Sequence, residues 1–98
     1  MQKRESSLRG YFLRRMKKAG ALVYKLVPAG RNNKPDELVL APHGQHCLVE
    51  LKKEGEPPRP SQQREHRRIM RRGHPVRVID TKRGVDLLEW DIREKAAR

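Results

Sequence analysis

Pro35-Asp36-Glu37-Leu38-Val39-Leu40-Ala41-Pro42-His43-Gly44-Gln45-His46-Cys47-Leu48-Val49-Glu50-Leu51-Lys52 is the stretch that decides the fold. Two short apolar runs, Glu37 to Ala41 and His46 to Leu51, flank Pro42-His43-Gly44-Gln45, whose composition is that of a turn, so the segment predicts a β-hairpin. Residues paired across such a hairpin have position numbers with a constant sum. Asp36 and Glu50 sum to 86, which centres the turn on His43 and sets the two carboxylates opposite each other on one face. Alternation sends Lys52 to the same face as Glu50, and sends Cys47, Val49 and Leu51 to the other, where burial under a helix gives Cys47 a packing role.

Directly paired carboxylates would hold their β-carbons about 4.5–5.5 Å apart, a repulsive arrangement unless a cation lies between them. Two hard oxygen donors, with waters completing the shell, suit Mg²⁺, with Mn²⁺ able to substitute. Lys52 adds an ammonium group that can reach a phosphate held there. Asp36, Glu50 and Lys52 are thus the candidate catalytic residues for metal-assisted phosphodiester hydrolysis. A carboxylate and a lysine two apart on a strand are by themselves a common solvated edge, and it is the register with Asp36 that raises the pair above that.

Working outward, Leu8, Phe12, Leu13 and Met16 recur at helical spacing between Glu5 and about Ala19, and Gly20 stops the helix. Ala21 to Val27 reads as a first strand. The segment Pro28 to Pro35, with its Gly, Asn and cations, is a loop. Beyond the hairpin, a proline-rich stretch leads to Ser61, a candidate helix cap, and a charged helix through about Arg72 that ends at Gly73. Val76 to Ile79 is a further strand. Val85, Leu87, Leu88 and Trp90 suggest a closing helix that frays from Arg93 onward. The order helix, strand, hairpin, helix, strand, helix predicts one mixed α/β domain over residues 1–98.

Bulk composition names the partner class. The 98 residues carry 24 Lys and Arg against 12 Asp and Glu, a net charge of +12, which attracts polyanions and nucleic acid first among them. One cysteine excludes an intramolecular disulfide or a cysteine-rich zinc module. No signal-like N-terminus and no long apolar run occur, so the expectation is a cytoplasmic protein, bacterial or from a phage-infected host cell, without a membrane partner. The histidines His43, His46, His66 and His74 invite a zinc reading, but His43 lies in the turn and alternation separates His46 from Cys47.

Pro35-Asp36, the hairpin gap and Glu50-Leu51-Lys52 resemble the PD-(D/E)XK nuclease signature and, more narrowly, the virus-type replication-repair nuclease (VRR-NUC) family in its small stand-alone phage and bacterial form. Glu5, Gly30, Ser61-Gln62 and Gly73 resemble the same pattern. The resemblance implies a restriction-endonuclease-like core, with Mg²⁺ held by Asp36, Glu50, the Leu51 carbonyl and, through water, Glu5. It also implies a catalytic glutamine. The family shows a serine a few residues before that glutamine, whereas here Ser61 abuts Gln62 and Gln63; spacing to Gly73 favours Gln62, with Gln63 the other candidate. Stand-alone members tend to be homodimers related in behaviour to Holliday-junction resolvases, which implies branched DNA as substrate and a role in DNA repair.

Substrate contacts are expected from Arg31 and Lys34 in the entering loop, and from Arg59, Arg64, Arg67, Arg68 and Arg71 along or before the charged helix, with Arg72 beside them. Arginines spread around a helix cannot all face one duplex. The rival reading is a non-catalytic basic nucleic-acid-binding module, which needs no carboxylate pair and ignores chelators. A toxin-like ribonuclease would rely on His or Tyr and work without metal.

Overall fold

A computed structural model describes residues 7–27 and 33–96. Helix α1 (Ser7–Lys18) is followed by strands β1 (Leu22–Lys25), β2 (Glu37–Leu40) and β3 (His46–Leu51). Helix α2 (Pro60–Met70), strand β4 (Val76–Ile79) and helix α3 (Lys82–Ala96) complete the chain. The four strands lie in sequence order in one sheet, antiparallel except for the parallel β3–β4 pair. A parallel pair needs a crossover, and α2 supplies it. This is the expected mixed α/β architecture.

The hairpin register follows the constant sum of 86, with Glu37 opposite Val49, Leu38 opposite Leu48, Val39 opposite Cys47 and Leu40 opposite His46. A single 3-10 turn at Pro42–Gly44 joins the strands, and His43 at its centre takes the left-handed conformation (φ 62°), which histidine tolerates better than most residues. The regular ladder stops one pair short of Asp36. There the Asp36 N–H donates to the Val49 carbonyl at 3.0 Å, and the Asp36 carbonyl accepts from Leu26 at 2.8 Å.

Alternation along the strands divides the sheet into two unlike faces. Val39, Cys47, Val49 and Ile79 face α1 and α3, where Phe12, Met16, Val85, Leu88 and Ile92 complete the core. Burial among these groups pushes the Cys47 thiol up to about 11, so it is neutral packing material. Gly20 (φ 82°) turns the chain out of α1, and a β-carbon there would stand 3.2 Å from the Pro42 ring. On the opposite face, Leu22, Tyr24 and Leu40 are exposed because α2 reaches only the β3–β4 half. Trp90 lies exposed on α3. Among the described residues no helix is long and apolar enough to cross a membrane.

Several boundaries shift from the sequence reading, and strand β1 occupies only Leu22–Lys25 of the expected Ala21 to Val27. Helix α2 is capped at Arg59 and begins with Pro60, so Ser61 sits inside the first turn and donates instead to Asn33 Oδ1 at 3.1 Å. The same helix ends at Met70, short of Arg72. Helix α3 continues through Arg93 and Lys95 to Ala96, because Arg93 folds back onto Glu89 at 2.7 Å.

Two buried carboxylates lie on the α1–α3 side of the molecule. Glu37, fully buried, accepts both Arg9 Nε (2.8 Å) and Arg9 Nη2 (3.2 Å) from α1. Glu89 accepts Arg15 Nε at 2.5 Å and Arg93 Nε at 2.9 Å. Burial alone would raise the Glu89 carboxyl, but its hydrogen bonds to Arg93 and Arg15 outweigh burial and hold it below the usual carboxylate range.

Arg9→Ala strands a buried charge and should cost about 3 kcal/mol in denaturant unfolding, whereas replacing Arg9 and Glu37 together by leucine should recover most of it. For Glu89 the folded carboxyl is the more acidic one. Its contribution is therefore present above the unfolded value of about 4.3 and is lost as pH falls through the lower folded value. Wild type should exceed Glu89→Gln in unfolding free energy at neutral pH, and the gap should close below about pH 4.

Candidate active site

Glu50 lies near the end of β3 on the sheet face that α2 covers, and its carboxylate is the hub of the site. Only 3% exposed, it meets side chains from α2 and from Lys52 just past the end of β3. Gln62 Nε2 donates to its Oε2 at 2.9 Å, and His66 Nε2 lies 3.2 Å from its Oε1. Lys52 Nζ stands 3.7 Å from Oε2. Gln62 and His66 are four apart on α2 and so project from one side of the helix. The other end of the Gln62 amide is also fixed, because Oε1 accepts the Arg59 N–H at 2.8 Å, half of a capping box.

Asp36 reaches the same place from the other strand. Its Oδ2 accepts the Leu51 N–H at 2.9 Å, locking the carboxylate against the backbone beside Glu50. The Ser61–Asn33 bond ties the approach to Asp36 to the first turn of α2. Burial first, and the Asp36 charge second, raise the Glu50 carboxyl above its ordinary range; the His66 hydrogen bond and the Lys52 charge oppose them and do not cancel them. A hub that holds its negative charge reluctantly is one that an added cation would relieve.

The donor set fits a hard divalent ion. Among the described residues no group of three His, Cys, Asp or Glu converges on a metal-sized space. Mg²⁺ needs no such cage, since it is held by one or two carboxylates and keeps its waters. A carboxylate has about four acceptor directions, of which Glu50 uses two and Asp36 one in the bonds above. Free lone pairs therefore remain.

Beside Lys52 opens a cleft of about 620 Å³ between the N-terminal ends of α1 and α3, where Lys52, Lys53 and Lys82 share the lining with Glu54 and Asp80. Sequence reasoning does not single out Lys53 or Lys82. Nor does it mark His66 as a contact of Glu50, although its spacing from Gln62 is the available signal. Of the two glutamines, Gln62 is buried against Glu50, while Gln63 is exposed and donates to the Pro58 carbonyl at 2.9 Å. Lys34 precedes Asp36 by two positions. Glu5 and Arg31 lie outside the described residues. Arg59 is exposed at the α2 cap, and Arg64, Arg67, Arg68 and Arg71 line a groove on the outside of α2, away from Glu50.

Two carboxylates and a lysine thus meet at the ends of adjacent strands of a mixed sheet. The chain is 42% identical over 78 residues to the protein named "Putative nuclease p44" of Acyrthosiphon pisum secondary endosymbiont phage 1, a match covering 80% of this chain and 84% of that one. It superposes on a solved structure described as "VRR_NUC domain" with a TM-score of 0.80 and 40% identity, covering 86% of this chain and 91% of that one. No family model matches the sequence. The chain belongs to the VRR-NUC nuclease family.

Gln62→Ala removes two hydrogen bonds, one of them to a buried carboxylate, and should lower unfolding free energy by about 1–3 kcal/mol. Gln63→Ala should change it by less than about 0.5 kcal/mol. Denaturant midpoints of the two variants separate the roles without any assay of activity.

Proposed function

We propose that the protein is a Mg²⁺-dependent, structure-selective DNA endonuclease that acts on branched DNA, such as a Holliday junction, as a homodimer, with DNA repair as its setting. The observation that carries the catalytic part is the Glu50 hub, with Asp36 and Lys52 arranged around it. Asp36, Glu50 and the Leu51 carbonyl would hold the cation, with Glu5 as an outer ligand implied by family resemblance. When bound, a divalent ion supplies Lewis acidity to the phosphoryl group and to the attacking water.

The chain's own residues do the rest. Lys52, with its side chain 9% exposed and its backbone N–H fixed to Ile79 at 2.9 Å, presents an ammonium group to the water and to charge developing on the phosphate. Gln62 holds the Glu50 carboxylate in one rotamer and is itself held by the Arg59 N–H. His66 does the same from one helical turn further on. In the cleft beside Lys52, Lys53 and Lys82 offer the cut strand ammonium contacts, with Glu54 and Asp80 in the same lining. The homodimer draws support from the exposed Leu22, Tyr24 and Leu40, an apolar sheet surface that a second copy would cover.

The test is a cleavage panel of single-stranded, duplex, flap and four-way DNA. Wild type should cut branched DNA in Mg²⁺ or Mn²⁺ and stop in chelator. Asp36→Ala and Lys52→Ala should each lower the single-turnover rate by about 10²-fold or more while the proteins stay folded. Undiminished Mg²⁺-dependent cleavage by Asp36→Ala would sink the site assignment. DNA binding that ignores chelator, with no cleavage at all, would instead favour the non-catalytic module.

A further inference from the structure

Helix α2 carries two unlike faces. Gln62 and His66 point at Glu50 and are buried. At about 3.6 residues per turn, the mean direction of Arg64, Arg67, Arg68 and Arg71 is roughly 180° from theirs. These four arginines are exposed and alone line a groove of about 290 Å³ on the outside of the helix. Arg68 pairs with Glu65 at 3.4 Å, whereas among the described residues Arg64, Arg67 and Arg71 have no acidic partner.

Such a stripe is unfavourable in the free protein. Like charges three and four apart on a helix each cost about 0.2–0.5 kcal/mol. What relieves them is an anion, and guanidinium forks match phosphate oxygens in pairs. The stripe spans eight residues, about 10 Å along the helix axis from the first to the last, long enough for more than one phosphate of a backbone. The groove has no apolar side chain in its lining to favour another ligand class.

The place of the stripe decides what it binds. The cleft beside Lys52, lined by three lysines and two carboxylates, lies at the N-terminal ends of α1 and α3, and shares no residue with the groove. A helix about 10 Å thick separates the stripe from the carboxylate hub. We infer that α2 holds a second phosphodiester segment, a duplex arm diverging from the one that enters the cleft, so that one chain grips two arms of a single DNA molecule. The inference takes the identity of the first segment from the nuclease reading above. The grip itself involves no chemistry and can be measured without metal.

Two linked binding surfaces on one molecule hold it more tightly than either alone. In chelator, the full chain should therefore prefer a labelled four-way DNA over a duplex of one arm's length by about tenfold or more. In the triple variant Arg64→Gln, Arg67→Gln, Arg71→Gln that preference should fall to about twofold or less. The slope of four-way binding against salt should flatten by about 0.9 for each phosphate that the variant no longer neutralises, and Arg→Lys at the same positions should restore much of it. Gln is a good helix former at exposed positions, and an unchanged unfolding midpoint verifies the fold. A preference that survives in the Gln variant, or that wild type never shows, overturns the inference. If the preference collapses as expected while wild type cuts no DNA in Mg²⁺ or Mn²⁺, the two-arm grip stands and the nuclease reading falls.

Discussion

A buried carboxylate must be surrounded, and in this protein the groups that surround Glu50 are also what attach α2 to the sheet. The buried side of that helix consists of an amide and an imidazole, Gln62 and His66, aimed at one strand residue. Most helices dock through an apolar stripe and leave polar groups to water. Here the docking contact is polar and directional, so the angle of α2 and the orientation of Glu50 are fixed by the same hydrogen bonds. Moving either one unmakes the other.

The neighbouring residues Asp36 and Glu37 show how a sheet assigns opposite tasks to adjacent carboxylates. Glu37 points toward α1, where Arg9 neutralises it with a two-pronged bond in full burial. Asp36 lies just past the end of the ladder, only partly buried, and binds the Leu51 N–H. One fastens α1 to the sheet, and the other is left with free lone pairs beside Glu50. Pleating makes the distinction, since the two residues are otherwise nearly the same chemistry.

The hairpin is legible in the sequence because it has a strong internal ruler. One turn composition and one constant sum place every residue from Glu37 to Val49, and alternation then predicts the buried face. Strand β4 and the Gly20 stop are equally plain. The charged helix is another matter. Its sequence, PSQQREHRRIM, offers no apolar stripe, so periodicity cannot say which side meets the sheet. That is why spacing alone does not connect His66 with Glu50, why Ser61 reads as a cap when Pro60 already occupies the first turn, and why arginines on the outer side group with the entrance to the site. Only the position of the helix against β3 separates them.

The order of the chain has a consequence for how the molecule assembles. Asp36, Glu50, Lys52, Gln62 and His66 fall within one continuous segment, and the hydrogen bonds joining them span 12 to 16 positions. The opposite layer is closed by α1 meeting α3, through bonds such as Arg15 to Glu89 and Tyr11 to Asp86 that span 74 and 75 positions. Short loops close with a smaller entropy loss than long ones. The carboxylate hub thus belongs to the low-contact-order part of the topology, and the apolar core to the part that must wait for the two ends of the chain to meet.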